Sequence, residues 1–295
     1  MLGQLTEEEK ETAARSSYAY FKACSQHGSS TEATSFRDRA AMAMIARHFR
    51  ADGHDVETAM RHVKQTIKWR QDTRIDALRQ SFEETTDESL TFRRRLKSFI
   101  GENGKFVIQG FDKNHRACWH TVGRHSPEET QSDHEGCMLA HFYMLERAIA
   151  CSEARSLKYG RTSQETVIVC VDFRGFEKQH APPLHTVKEL LCGLRDHYPE
   201  RLFRVYFVDA PLVFRGLWNI IKPFVDKDTK AKFQFVTGTT QRTTVFMEAM
   251  GKNQCMRYQL DSGELPSEID MDKFYSLPFD MSYGESNSHN LSLLR

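Results

Sequence analysis

The hydrophobic rhythm of the chain changes once, near residue 105. Before that point apolar positions recur at helical steps: Val56, Met60, Val63 and Ile67 lie on one stripe, with Arg61, Lys64 and Lys68 opposite. Thr6 and Glu9 spell a capping box, which predicts a helix from there to about Cys24, broken at 28–30. A second helix is expected over 36–50, stopped at Ala51-Asp52-Gly53, and a third from Asp55. From Phe106 onward short strand-like runs take over: KFVIQG, ACWHTV, TVIVCVDF, FRVYFVDA and KFQFV. Within them VIVCV, 167–171, is apolar at every position, as a parallel strand covered on both faces requires.

Helical patterns separate most of these strands, so the chain reads as an all-helical start followed by an α/β domain with a mostly parallel sheet. The helix expected over 185–197 carries Val187, Leu190, Leu191 and Leu194 on one stripe and reads as an ordinary sheet-packing helix. The segment 212–224 differs: Val213, Phe214, Leu217, Trp218, Ile220, Ile221 and Phe224 cover more of the circumference than one core-facing stripe needs. Either it is buried on most sides or it covers something apolar. The polar cluster at 81–95 is the best domain boundary, and the Ser- and Asn-rich end from Phe279 reads as a loose tail.

Composition narrows the chemistry. The 41 basic and 40 acidic residues leave a net charge of +1, which gives no global reason to expect nucleic acid as a partner. The seven cysteines contain no C-x-x-C pair, which fits a reducing, cytoplasmic setting, and the acidic amino terminus does not read as a signal peptide. Motifs for a nucleophile elbow, a zincin helix or a glycine-rich phosphate loop are missing, so an enzyme is not expected. His120 and His125, or His180 and His185, stand five residues apart, a step that converges on neither helix nor strand; no metal is expected. Asp172 at a strand's carboxyl end reads first as a turn-capping carboxylate. Arg93, Arg94, Arg95 and Lys97 form the one dense basic run, by default a solvated helix face and alternatively a lipid-docking one.

Four stretches carry a family resemblance: YPERLFRVYFVDAP from Tyr198, LWNIIKPFVDKDTKAKFQFV from Leu217, IARHFRADGHDVETAMRHVKQTIKWRQD from Ile45, and FDKNHRACWH from Phe111, with ELPSEID near 264–270. Together, over roughly 36–269, they resemble the CRAL-TRIO family, the fold of fungal-type phosphatidylinositol transfer proteins. The resemblance implies a helical module at 1–88, a lipid-binding domain at 89–275 and a tail at 276–295. It also implies one lipid held in an apolar cavity lined by Val167 and Val169 and covered by a helical gate at 212–224.

The implied cargo is phosphatidylinositol, exchanged through transient membrane contact, with no cofactor beyond the lipid itself. A two-chain lipid with about 30 methylenes loses on the order of 20 kcal/mol in water, so its carrier needs a dry interior. Its headgroup needs acceptors, hydroxyls and a cation. The family's phosphatidylinositol-binding branch takes these from positions matched here by Asp112, Glu200, Thr229 and Lys232. Glu200 is expected to face Lys232 across the strand mouth, with Arg201 anchoring the turn. Two departures matter. Asp52-Gly53 stands where that branch has a basic pair, and Val167 and Val169 replace hydroxyl residues of the phosphatidylcholine-exchanging branch. Alternatives are a tocopherol-, retinoid- or sterol-type cargo, or a protein-interaction adaptor on the same fold.

Overall fold

The computed structural model describes residues 1–26, 30–101, 104–160, 165–225, 227–251 and 269–285. Up to residue 100 the described residues form helices and the turns between them, as the period predicts. Helix α1 (Glu7–Arg15) opens on the expected capping box, Thr6 and Glu9 each holding the other's backbone amide. The predicted single helix nevertheless divides, because Ser16 turns its hydroxyl back onto the Ala13 carbonyl at 2.6 Å and α2 (Tyr18–Gln26) starts afresh. Helix α3 (Ser30–Ala51) is longer than expected. Gly53 and His54, both with positive φ, turn the chain sharply into α4 (Val56–Asp72), capped by Asp55.

Met60, Val63 and Ile67 of α4 are buried against Ala13, Ala14, Ala41, Met44 and Ile45, forming a small core of the module's own. Val56, at the head of the same stripe, stays exposed. Helices α5 (Ile75–Gln80) and α6 (Asp87–Ile100) follow. Helix α6 runs across the 88/89 boundary and packs on α7 (His134–Lys158), so the polar cluster at 81–95 leads into the second core. The basic run on α6 is not a bare solvated face. Arg93 donates to the Ser81 and Glu84 carbonyls, Arg95 pairs with Asp133 and Glu135, and Lys97 reaches Asp272.

Five strands form one sheet in sequence order: β1 (Phe106–Phe111), β2 (Ala117–Val122), β3 (Val167–Asp172), β4 (Leu202–Val208) and β5 (Phe233–Val236). β1 and β2 are an antiparallel hairpin, and the remaining pairs are parallel. Register and alternation place Trp119, Val169, Val205 and Phe233 in one row, with Thr121, Val171, Phe207 and Phe235 in the next, on the same face. On the opposite face Cys118, Ile168, Cys170, Tyr206 and Val236 pack under α11 (Thr239–Met250) through Phe246 and Met250.

Helix α7 is buried along most of its length and is the spine of the main core. Helix α8 (Leu184–His197) lies beside it, where Gly193 lets the two helices approach: a Cβ there would stand 3.0 Å from the Phe142 ring. The expected tail is docked as far as 285. Phe279 is buried, Tyr283 donates its amide to the Ile108 carbonyl, and Glu285 pairs with Arg155, because this segment pairs with the free edge of β1. A short helix, α12 (Met271–Ser276), precedes it. The L-P-x-E turn at 265–268 and the segment 286–295 lie outside the described residues.

Candidate functional site

The exposed-versus-buried pattern of the sheet is uneven. β3 is the middle strand, so both of its faces are expected to be dry. Val167, Ile168 and Cys170 are, but Val169 and Val171 keep partial exposure, as do Phe233 and Phe235 in the same two rows. Val167 belongs to the closed core built around α7. Val169 sits at the border between that core and a second cluster of Phe173, Val205, Phe207 and Ala210.

Helix α8 departs from the ordinary packing helix that its stripe suggested. Val187, Leu190, Leu191 and Leu194 all remain partly exposed, and Thr186 is its one buried residue. An apolar stripe and an apolar sheet face thus both stop short of full burial.

The segment over them is α9 (Leu212–Ile221), which leaves the carboxyl end of β4, and the short α10 (Lys227–Lys230) leads on to the amino end of β5. Its inner face is aromatic: Phe214 meets Phe173 and Phe207 at ring separations of 4.3 and 4.9 Å, and Trp218 meets Phe233 at 4.6 Å. Its other face is apolar as well. Leu212 is 83% exposed, Val213 67% and Ile220 54%, which a helix facing only water would not favour. The side chains of Leu217, Ile221 and Phe224 lie outside the described residues.

At the base of this helix Asp209 holds a left-handed backbone, φ 49°, accepts the Gly238 amide at 2.7 Å and pairs with the buried Arg242. The chain is therefore anchored just ahead of the amino end of α9, where it leaves β4.

All four expected headgroup residues stand at the amino ends of the parallel strands: Asp112 in the β1–β2 turn, Glu200 before β4, Thr229 and Lys232 before β5. Their engagements differ. Asp112 is buried and accepts the Asn114 and Arg116 amides at 2.9 and 2.8 Å while pairing with the Arg116 guanidinium at 2.9 Å, which shapes the hairpin turn. Glu200 meets Arg50 at the end of α3, 2.5 Å away, instead of Lys232. Its backbone is left-handed, φ 57°, unusual for a glutamate. Lys232 and Thr229 are half-buried and linked by a backbone hydrogen bond of 3.0 Å. Asp172 folds onto Arg174, accepting its amide and its guanidinium, as a turn-capping carboxylate does.

The Y-P-E-R stretch divides its side chains by direction. Only Glu200 points outward. Tyr198 donates its hydroxyl to Glu146 at 2.9 Å, and Arg201, 3% exposed, anchors the turn by reaching Glu153, the Glu165 carbonyl and the Ser16 carbonyl. Helix α4 brings the W-R pair to the same place: Trp69 lies against Tyr198, and Arg70 holds Glu146 at 2.6 Å.

Glu146 also accepts from Arg79 at 3.0 Å. Burial raises its pKa, but the two arginines and the tyrosine overcome this and hold it at about 2. Seven residues along α7, burial pushes Glu153 up to about 7, with the nearby Glu165 carboxylate adding to the rise and Arg201 opposing it. Burial, with Arg201 close by, pushes Arg47 down to about 10 although Glu165 pairs with it.

Pattern reasoning missed both glutamates; the one available signal was a charge inside the otherwise apolar run FYMLERAIACSE. The space bordered by Arg47, His48, Arg70, Glu146 and Arg201 is a cavity of about 10 Å³, room for one water and not for a sugar ring. A headgroup at this edge would have to lie on the outward side, with Glu200.

Comparison with known proteins agrees with this architecture. The CRAL/TRIO domain profile matches residues 101–257, more than half of the chain, and the chain belongs to that family. It is similar to the phosphatidylinositol transfer protein PDR17 of Saccharomyces cerevisiae, 25% identical over 195 residues, covering 64% of this chain and 50% of that protein. The phosphatidylinositol transfer protein SFH5 of Kluyveromyces lactis is 25% identical over 204 residues, 67% of this chain and 63% of its own. The chain thus spans half to two thirds of the length of these relatives. The crystal structure of Sfh5 shares the fold, with a TM-score of 0.55 at 15% identity over 78% of this chain and 80% of that one. Among the described residues no helix is long and apolar enough to cross a membrane.

Proposed function

We propose that the chain is a non-enzymatic lipid carrier that holds one phosphatidylinositol between α9, α8 and the β3–β5 face, and exchanges it at membranes. The observation that carries this reading is the incomplete burial of Val169 and Val171 on the central strand, beneath a helix that is apolar on both sides. A carrier needs that combination: an inner surface that accepts acyl chains when the helix moves, and an outer surface that tolerates the bilayer. Glu200, Thr229 and Lys232 supply acceptor, hydroxyl and cation at the strand mouths, and the relatives named as phosphatidylinositol transfer proteins support the choice of cargo.

Liposome-to-liposome transfer tests it. Glu200→Ala combined with Lys232→Ala lowers phosphatidylinositol transfer while the circular dichroism spectrum is retained; unchanged transfer removes the headgroup assignment.

A second reading is favoured by one observation. Asp112 is committed to its hairpin and Glu200 to Arg50, so a cargo with little polar surface, of tocopherol, retinoid or sterol type, makes fewer demands on them. Native mass spectrometry with lipid extraction of the purified protein separates the two by the mass of the bound molecule.

A further inference from the structure

The turn between α3 and α4 brings together side chains that the lipid reading does not use. His48 lies in the last turn of α3 and Asp52 just past its end, four residues on, its amide donating to the His48 carbonyl at 2.8 Å, and the tight turn through Gly53 and His54 folds α4 back so that His62 meets them. His62 Nδ1 lies 2.9 and 3.0 Å from the two Asp52 oxygens. One ring nitrogen from each histidine and one Asp52 oxygen all fall within 4.8 Å of one another.

We infer that His48, Asp52 and His62 form a binding site for one divalent transition-metal ion, with Zn²⁺ the best match to the donor set. Two imidazoles and a carboxylate suit zinc and its neighbours, and give magnesium or calcium too few oxygens. Zinc–ligand bonds of about 2.0–2.2 Å place tetrahedral ligand atoms about 3.3 Å apart, so side-chain adjustment of roughly an ångström closes the set.

The site is also built from behind. His48 is 2% exposed, and its Nε2 lies 3.3 Å from Thr66 Oγ1, which stands 3.1 Å from His197 Nδ1 and donates to the Asp196 carbonyl. That contact orients the His48 ring, as outer partners of ligating histidines do. On the other side the His62 side chain is 37% exposed, which leaves a fourth coordination position to water. Sequence spacing does not reveal the set, because its ligands come from two helices at steps of four and ten residues. An ion pair between His62 and Asp52 alone would need neither the buried His48 nor its Thr66 contact.

The test uses the full chain after chelator treatment, titrated with Zn²⁺ by calorimetry and with Co²⁺ by visible absorption. The expected result is one ion per chain, with cobalt ligand-field bands and no thiolate charge-transfer band. Asp52→Asn and His62→Gln, both at the partly exposed side of the site, each weaken binding by about tenfold or more while keeping the circular dichroism spectrum. Absence of one-to-one binding, affinity that survives both substitutions, or a thiolate band placing the ion on the cysteines would each overturn the assignment.

Discussion

Replacing Glu146 with glutamine removes the one carboxylate on which Arg70, Arg79 and Tyr198 converge. Arg70 and Arg79 are 3% and 5% exposed, so each loses a counter-charge in a place water does not reach. Asp76, at 3.3 Å from Arg70 and 2.6 Å from Arg79, is left as their remaining ion-pair partner. Breaking a buried pair of this kind costs about 3–5 kcal/mol. The glutamate's own titration gives the same scale: a carboxyl held at about 2 instead of 4.5 corresponds to about 3 kcal/mol.

For 295 residues, at about 2 cal/mol/K of unfolding entropy per residue, 3–5 kcal/mol lowers Tm by about 5–8 °C. The assay is thermal unfolding followed by circular dichroism at pH 7.5, on protein stripped of lipid so that cargo binding does not mask the loss. A Glu146→Gln protein melting within about 1 °C of wild type would show that the cluster is solvated or rearranged, and that the account of the Y-P-E-R stretch is wrong.

The pH profile separates the two glutamates of α7. Glu146 has its pKa depressed, so its contribution is present above about 4.5 and lost as pH falls toward 2; Glu153 has its pKa raised, so stability declines as pH rises from 4.5 to about 7. Glu153→Gln therefore flattens the decline between pH 4.5 and 7 and is milder than Glu146→Gln at pH 8; equal losses at pH 8 would count against this. Val169→Phe fills space on the central strand, displaces about two methylenes of cargo at about 0.8 kcal/mol each, and lowers lipid affinity about tenfold with Tm little changed. Affinity at the wild-type level would mean that no acyl chain lies on β3.

Glu200→Gly relieves a left-handed backbone and removes only a half-exposed ion pair, so stability changes by less than about 1 kcal/mol while phosphatidylinositol transfer falls. A large stability loss with intact transfer would make Glu200 structural. Leu212→Asp and Ile220→Asp on the outer face of α9 reduce co-sedimentation with vesicles; unaltered co-sedimentation would place the membrane contact elsewhere.

Much of the fold is legible in the chain because it rests on local period. The five strands, the Thr6–Glu9 cap and the Gly53 turn come from patterns a few residues long, and the all-apolar VIVCV run identifies the central strand. What escapes is whatever depends on pairing across long separations. Glu146 and Glu153 look like breaks in an apolar helix until arginines from α4, α5 and the mouth of β4 meet them. The partner of Glu200 lies 150 residues away on α3, beyond the reach of any period. Residues 279–285 read as tail because Ser282, Gly284 and the Ser- and Asn-rich sequence after them hide one buried phenylalanine and a strand edge waiting for it. The four residues to which the resemblance points all stand at strand mouths, but the sequence does not tell that Asp112 is engaged by its own hairpin and Glu200 by Arg50.

Arg201 clasps the Ser16 carbonyl, and Glu153 holds the Ala19 amide at 3.2 Å, so the earliest helices are riveted to the root of β4. Deleting the first twenty residues would take one acceptor from the buried Arg201 guanidinium and one amide donor from Glu153, which makes the amino-terminal segment part of the chassis and not a detachable accessory. On the lipid-carrier reading proposed above, a moving α9 would hang from this framework at 209–211 and 227–232, leaving the mouth of β4 in place.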